Sequence, residues 1–159
     1  MNRSAFGLVF GGVLNRPCLI RFRVWWGLAL ALTSPWVVAG PLAVVVAASS
    51  PSPRLNHDQV AAIFLGVVKT FPGGERATPV DQLQGSPDYD QFYAQVTEKT
   101  EAQVKAHWSR MIFTGKGAPP HESGDSAAVK KLVSGNPTLI GYIDAAAVDG
   151  SVKVVYEVK

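Results

Sequence analysis

The sequence predicts an α/β fold, a sheet of three to five strands with about four helices packed on it. Two observations carry this. Four segments each open on a capping residue and then repeat apolar side chains at helical spacing, and three short β-rich runs are distributed between and after them. A third observation sets the limits of the fold, since every acidic residue lies at or beyond Asp58 while the stretch before it is basic or apolar.

Asn56 with Gln59 three residues on forms a capping box, Leu55 and Val60 stand where a hydrophobic staple would, and Gly66 follows Ile63-Phe64-Leu65 as a stop; residues 57–65 are predicted helical. Ser86-Pro87 is a cap with a first-turn proline, and Tyr89, Phe92, Tyr93 and Val96 follow at i, i+3, i+4 and i+7 as one apolar face. Thr100 with Gln103 opens a third helix, whose inward side is expected to carry Val104, Trp108, Met111 and Ile112, with Gly115 ending it. A fourth, capped by Asp125 and running over 126–134, is expected to bury Ala128, Val129, Leu132 and Val133. The strand runs are 77–82, 139–143 and 152–158.

The N-terminal stretch carries Arg3, Arg16, Arg21 and Arg23, then 25 uncharged residues from Val24 to Ala48, then Ser-Ser-Pro-Ser-Pro. A positive end, an apolar middle and a small-residue exit make an export signal, and Val46 and Ala48 place its cleavage ahead of Ser49. An uncleaved membrane anchor is the other reading, since roughly 20 apolar residues cross a bilayer. The organisation expected is thus 1–48 signal peptide or N-terminal membrane anchor, 49–55 linker and 56–159 one folded domain, with the basic flank retained inside and the domain in the periplasm. The linker rests on Pro51-Ser52-Pro53, which sustains neither helix nor central strand.

Charge and residue types exclude several functions. The chain as a whole is at +3, but four of its 15 basic residues belong to the leader, which leaves 11 against 12 acids for the rest. A nucleic-acid binder needs a clustered basic face, and none is present. Cys18, the sole cysteine, precedes the apolar run, so the exported part holds neither disulfide nor thiol nucleophile and the run does not end in a lipidation cysteine. No G-x-S-x-G elbow occurs, and the Phe113–Pro120 loop lacks the spacing of a phosphate-binding P-loop. His121-Glu122-Ser123-Gly124-Asp125 has metal-ligating residue types but no second cluster to complete a site. His57 and His107 read as a helix-start and a helix-flank residue. No catalytic residue, cofactor or metal site is assigned, and the protein is read as a non-enzyme. The segment from Val80 to Pro87 runs from strand through a short turn to a helix start, a geometry that directs free N–H groups at one point and serves anions; Gly85 and Ser86 are its candidate ligand-binding residues.

The runs DQVAAIFLG, PVDQ with GSP and FY, HWSRMIFTGKGAPP, and AVKKLV followed by NP and IGYIDAAAVDGSVKVV cover residues 56–157. Together they resemble the short exported proteins classed with the periplasmic substrate-binding protein of ABC-type phosphate transporters. The resemblance implies a periplasmic-binding-protein-like (type II) fold with a mixed sheet, present as one lobe of a two-lobe receptor. It implies phosphate or another small anion as ligand, and an ABC transporter or an envelope protein as partner. In the full-length family this lobe brings an arginine and a Ser-Gly-Thr turn to the phosphate. Here Gly85 and Ser86 keep part of that turn, Asp81 or Gln82 takes the arginine's place, and Pro87 stands where another backbone donor would be. The function expected is therefore solute binding in phosphate (anion) transport, with an interaction module of the same fold that has lost its ligand as the alternative.

Overall fold

The computed structural model describes residues 40–158. The export segment and its arginines lie almost wholly outside these residues. Five strands and four helices follow in the order β1 (Leu42–Ala47), α1 (His57–Phe64), β2 (Thr78–Asp81), α2 (Pro87–Thr97), α3 (Glu101–Phe113), β3 (His121–Glu122), α4 (Ser126–Ser134), β4 (Leu139–Asp144) and β5 (Val152–Glu157), with one turn of 3₁₀ helix at Ala145–Ala147. The sheet order is β3-β2-β4-β1-β5. β2 runs parallel to both β3 and β4, whereas β1 is antiparallel to both β4 and β5, so the sheet is mixed.

The predicted helices form as their caps dictate. Both capping boxes close, Asn56 with Gln59 and Thr100 with Gln103; Ser86 accepts from Tyr89 N and Asp125 from Ala128 N. Four orphan N–H groups at each helix start are thereby reduced by local side chains, without help from the core.

β1 lies ahead of the expected boundary at Ser49 and is packed into the fold. All six of its residues are buried. Leu42, Val44 and Val46 join the core beneath α1, α2 and α3, while Ala43 and Val45 join Val129 and Val133 of α4 on the other face. A strand buried on both faces has no polar face to reveal it, and its continuous apolar run is the same signal an export segment carries. The linker expected over 49–55 is likewise packed. Ser50, Ser52 and Leu55 are buried, Lys153 Nζ donates to the Ser50 and Ser52 carbonyls at 2.7 Å each, and Leu55 N donates to Val155 O at 2.9 Å. The prolines prevent regular structure there, but a lysine and β5 supply the partners that the backbone needs.

Two further expectations are corrected. Ile112 and Leu132 were placed on the inward faces of α3 and α4, yet they are 57% and 41% exposed. Each helix is buried only at a narrow strip, Val104 and Trp108 on α3 and Val129 and Val133 on α4, so Ile112 in the last turn of α3 and Leu132 beside that strip on α4 reach solvent. α2 buries its whole predicted stripe, with Phe92 stacked on Tyr142 at 3.9 Å between ring centroids and Phe64 edge-on to Phe92 at 4.6 Å.

Two glycines set the distances between layers. At Gly66, φ is +70° and a Cβ would stand 2.8 Å from Trp108 Cη2, so both backbone and space require glycine where α1 ends against α3. Gly141 lies in the middle of β4, and a Cβ there would overlap Val129 Cγ1. Its missing side chain lets α4 settle directly on the sheet. Gly141→Ala is expected to cost about 1–3 kcal/mol in chemical denaturation, the usual range for overpacking, and adding Val129→Ala is expected to recover part of the loss. A neutral Gly141→Ala would mean that α4 has room to lift.

Candidate functional site

Because β2, β3 and β4 are parallel, their C-terminal ends share one edge of the sheet, and the connections from β2 and β3 bring the starts of α2 and α4 to the same edge. This is where an open α/β sheet holds ligands. Gly85 and Ser86 lie on it. Gly85 is exposed with φ +77°, completing the turn before α2, and Ser86 Oγ accepts from Tyr89 N at 3.3 Å as the cap.

Behind them is a polar network. Asp81 closes β2 and is only 4% exposed; Tyr93 OH donates to its Oδ2 at 2.8 Å, while its Oδ1 is buried with no hydrogen-bond partner. Gln82, equally buried, donates through Nε2 to Ser126 Oγ at 3.1 Å and to the Tyr142 carbonyl at 3.2 Å, and its N–H reaches Tyr142 OH at 3.3 Å. Ser126 Oγ also accepts from Asp144 N at 3.0 Å, which ties the start of α4 to the end of β4. Burial pushes the Asp81 carboxyl up to about 7, opposed by the Tyr93 and, more weakly, the Tyr142 hydroxyl and aided by the negative charge of Glu122. The Tyr93 and Tyr142 hydroxyls are held neutral by burial first and by Asp81 second. A strongly perturbed carboxyl beside a cleft marks a candidate functional site.

That cleft opens between α2, α3 and β3 with a volume of about 360 Å³; Asp81, Tyr89, Lys105, Trp108 and Glu122 are among its lining residues. The edge around it is acidic. Asp88 and Asp90 lie in the first turn of α2, Asp125 caps α4 and Asp144 ends β4, while residues 80–98 and 117–129 contain neither Lys nor Arg. A larger cleft of about 510 Å³ lies elsewhere, between α1 and the 68–74 loop, and has no buried unpaired polar group.

The histidines sit apart from this edge or on its outside. His57 Nε2 is 3.2 Å from the Gln95 carbonyl, His107 Nε2 is 2.9 Å from the Leu65 carbonyl, and His121 is exposed on β3. Among the described residues no three metal-ligating side chains converge.

The fold has solved counterparts. The chain superposes on a phosphate ABC transporter substrate-binding protein from Clostridium perfringens, solved with bound phosphate, with a TM-score of 0.59 and 24% identity. It matches an ABC-type phosphate transport receptor from Vibrio cholerae at 0.57 and 20%, and PstS from Borrelia burgdorferi at 0.52 and 12%. The chain has the fold of part of a phosphate-transport receptor. Each match covers 72% of this chain but only 44%, 45% and 46% of those chains respectively, so less than half of a receptor is represented. These proteins are binding proteins by name, not enzymes. No protein-family model matches the chain, and no curated protein does.

The mixed α/β architecture and the resemblance to phosphate-transport receptors therefore stand, and Gly85 and Ser86 lie at the C-terminal edge of the parallel strands. Sequence reasoning missed Tyr93, Ser126 and Tyr142, which hold Asp81 and Gln82 in place. Tyr93 and Tyr142 were legible only as core aromatics, because their hydroxyl partners come from other elements.

Proposed function

We propose that the chain is an exported, single-lobe solute-binding-like domain of an anion-uptake system that acts by engaging another component and does not itself hold phosphate. The observation that carries this reading is Asp81, a buried carboxyl with an unpaired oxygen at the strand end, where Glu122 adds a second negative charge. Above about pH 7, where Asp81 is ionised, an anion entering there meets repulsion from both carboxylates. The apolar side chains exposed near the cleft support an engaged surface, with Leu83 58% and Phe113 93% exposed. Export rests on the arginines and the uncharged run, with its exit moved forward: Val37 and Ala39 meet the small-residue pattern as well as Val46 and Ala48 do, and a cut ahead of Gly40 leaves β1 whole.

A second reading, a phosphate receptor using Gly85 and Ser86, is supported by the fold likeness and by the two helix N-termini that meet at this edge. One titration separates them. A ligand at 100 times its dissociation constant adds about 2.7 kcal/mol, which for a domain of this size raises the unfolding midpoint by on the order of 10 °C. The expected shift of the full chain in millimolar phosphate is about 2 °C or less. A shift near 10 °C, lost on Ser86→Trp, would establish the receptor instead.

A further inference from the structure

We propose that the cleft between α2, α3 and β3 is a binding site for an ammonium or guanidinium group, which pairs with Asp81 and lies against Tyr89 and Trp108. This deepens the reading above, because it names the chemistry of what the ligand edge engages. Four observations converge. Asp81 lines the cleft, is 4% exposed, and keeps Oδ1 without a well-formed hydrogen bond while Oδ2 is taken by Tyr93, the Tyr142 hydroxyl beside the carboxyl being already engaged with Gln82 N. A buried acceptor in that state is costly unless a donor arrives. Glu122, on the neighbouring strand end, borders the same cleft and adds to the negative field at Asp81. Tyr89 and Trp108 supply aromatic walls, the surface against which organic cations are held. Finally, Lys105 is the one basic residue among those lining the cleft, and it forms no ion pair with either acid. The carboxylates thus have no internal counter-ion, and the apolar rim at Ile112, 57% exposed, suits the alkyl stem that carries such a head group.

The groups that face Asp81 are Tyr93 and Tyr89 from α2, Tyr142 from β4 and Glu122 from β3, with Lys105 of α3 across the cleft. The tyrosines stay neutral across the physiological range, so a cation is opposed only by Lys105 and by the proton that Asp81 itself retains. Binding is therefore expected to tighten as pH rises from 6 to 8, with release of that proton.

The head group has two possible sources, a free amine or a Lys or Arg side chain of a partner protein, and the probes differ accordingly. The full chain is titrated calorimetrically at pH 8 with butylammonium, with agmatine and with a capped Leu-Arg-Leu peptide, against sodium chloride at equal ionic strength. Saturable binding that weakens at least tenfold in Asp81→Asn and several-fold in Glu122→Gln supports the site. A peptide that binds tenfold tighter than agmatine assigns the head group to a protein partner, and equal or weaker peptide binding assigns it to a free amine. Asp81→Asn is expected to fold at least as well as the wild type, so lost binding there is not lost structure. Binding that survives Asp81→Asn, or no response to any of the three probes, overturns the site. If phosphate is also silent in that second case, the engaging-domain reading stands without it, whereas a large phosphate shift overturns that reading itself.

Discussion

A chain shortened to residues 49–159 is expected to lose cooperative unfolding and to bind hydrophobic dyes, whereas one beginning at Gly40 is expected to fold. The difference is β1. Its removal exposes the inner edges of β4 and β5 together, since Val44 is paired with Tyr142 on one side and Tyr156 on the other, and it empties the core on both faces of the sheet. Five side chains of Leu or Val size or smaller are lost from fully buried positions besides Val44 itself, each worth on the order of 1 kcal/mol or more. That sum, with the opened edges added, is of the same size as the roughly 5–15 kcal/mol by which domains are stable. The mass of the exported product provides the companion measurement, expected near that of 40–159. A stable, cooperatively melting 49–159 fragment would show that β1 is dispensable and restore the boundary at Ser49.

Asp81→Asn is expected to stabilise the protein at pH 8 and to leave it nearly unchanged at pH 4. The Asp81 carboxyl rises from its ordinary 3.8 to about 7 on folding. Between those values the unfolded chain has released the proton that the folded chain still holds, so stability is fully present below about pH 4 and declines as pH rises to about 7, after which it is level. At about 1.4 kcal/mol per unit, the decline is on the order of 4 kcal/mol. Asparagine keeps the shape and the acceptor for Tyr93 OH without the charge, and so removes this slope. Urea denaturation of both proteins from pH 4 to pH 8 measures it. Parallel pH profiles would mean that Asp81 is hydrated and ordinary.

The surroundings of β1 and of Asp81 also show where sequence reasoning reaches and where it stops. Helix starts were legible because a cap is a local transaction: Asn56 and Gln59, or Thr100 and Gln103, satisfy each other within one turn whatever the rest of the chain does. β2, β4 and β5 were legible from their β-branched runs bounded by turn residues. β1 was not, because burial on both faces erases the alternation that marks a strand. β3 was not, because the two residues His121 and Glu122 are too few to carry any pattern and are strand only by pairing with Val80 and Asp81. At the site, the acid near the α2 turn was visible in the sequence as a misplaced charge. Its unpaired oxygen was not, since that depends on Tyr93 bonding one oxygen while no well-formed hydrogen bond reaches the other. Ile112 shows the converse error, in which helical periodicity names a face wider than the strip that the neighbouring layer covers.

An interior strand of the sheet, β1 between β4 and β5, is also the first of the described elements to be made. During synthesis Leu42–Ala47 emerges ahead of every other described element, yet its two neighbours in the sheet, Leu139–Asp144 and Val152–Glu157, emerge last. Helices α1 to α4 have their caps as soon as they appear, but no growing chain has both halves of the sheet until its final residues are available. Pairings this distant in sequence form slowly and late. The nascent polypeptide consequently remains threadable for nearly its whole length, the condition under which a chain passes through a narrow channel, and it acquires a locked tertiary structure only when its C-terminal strand closes against the first.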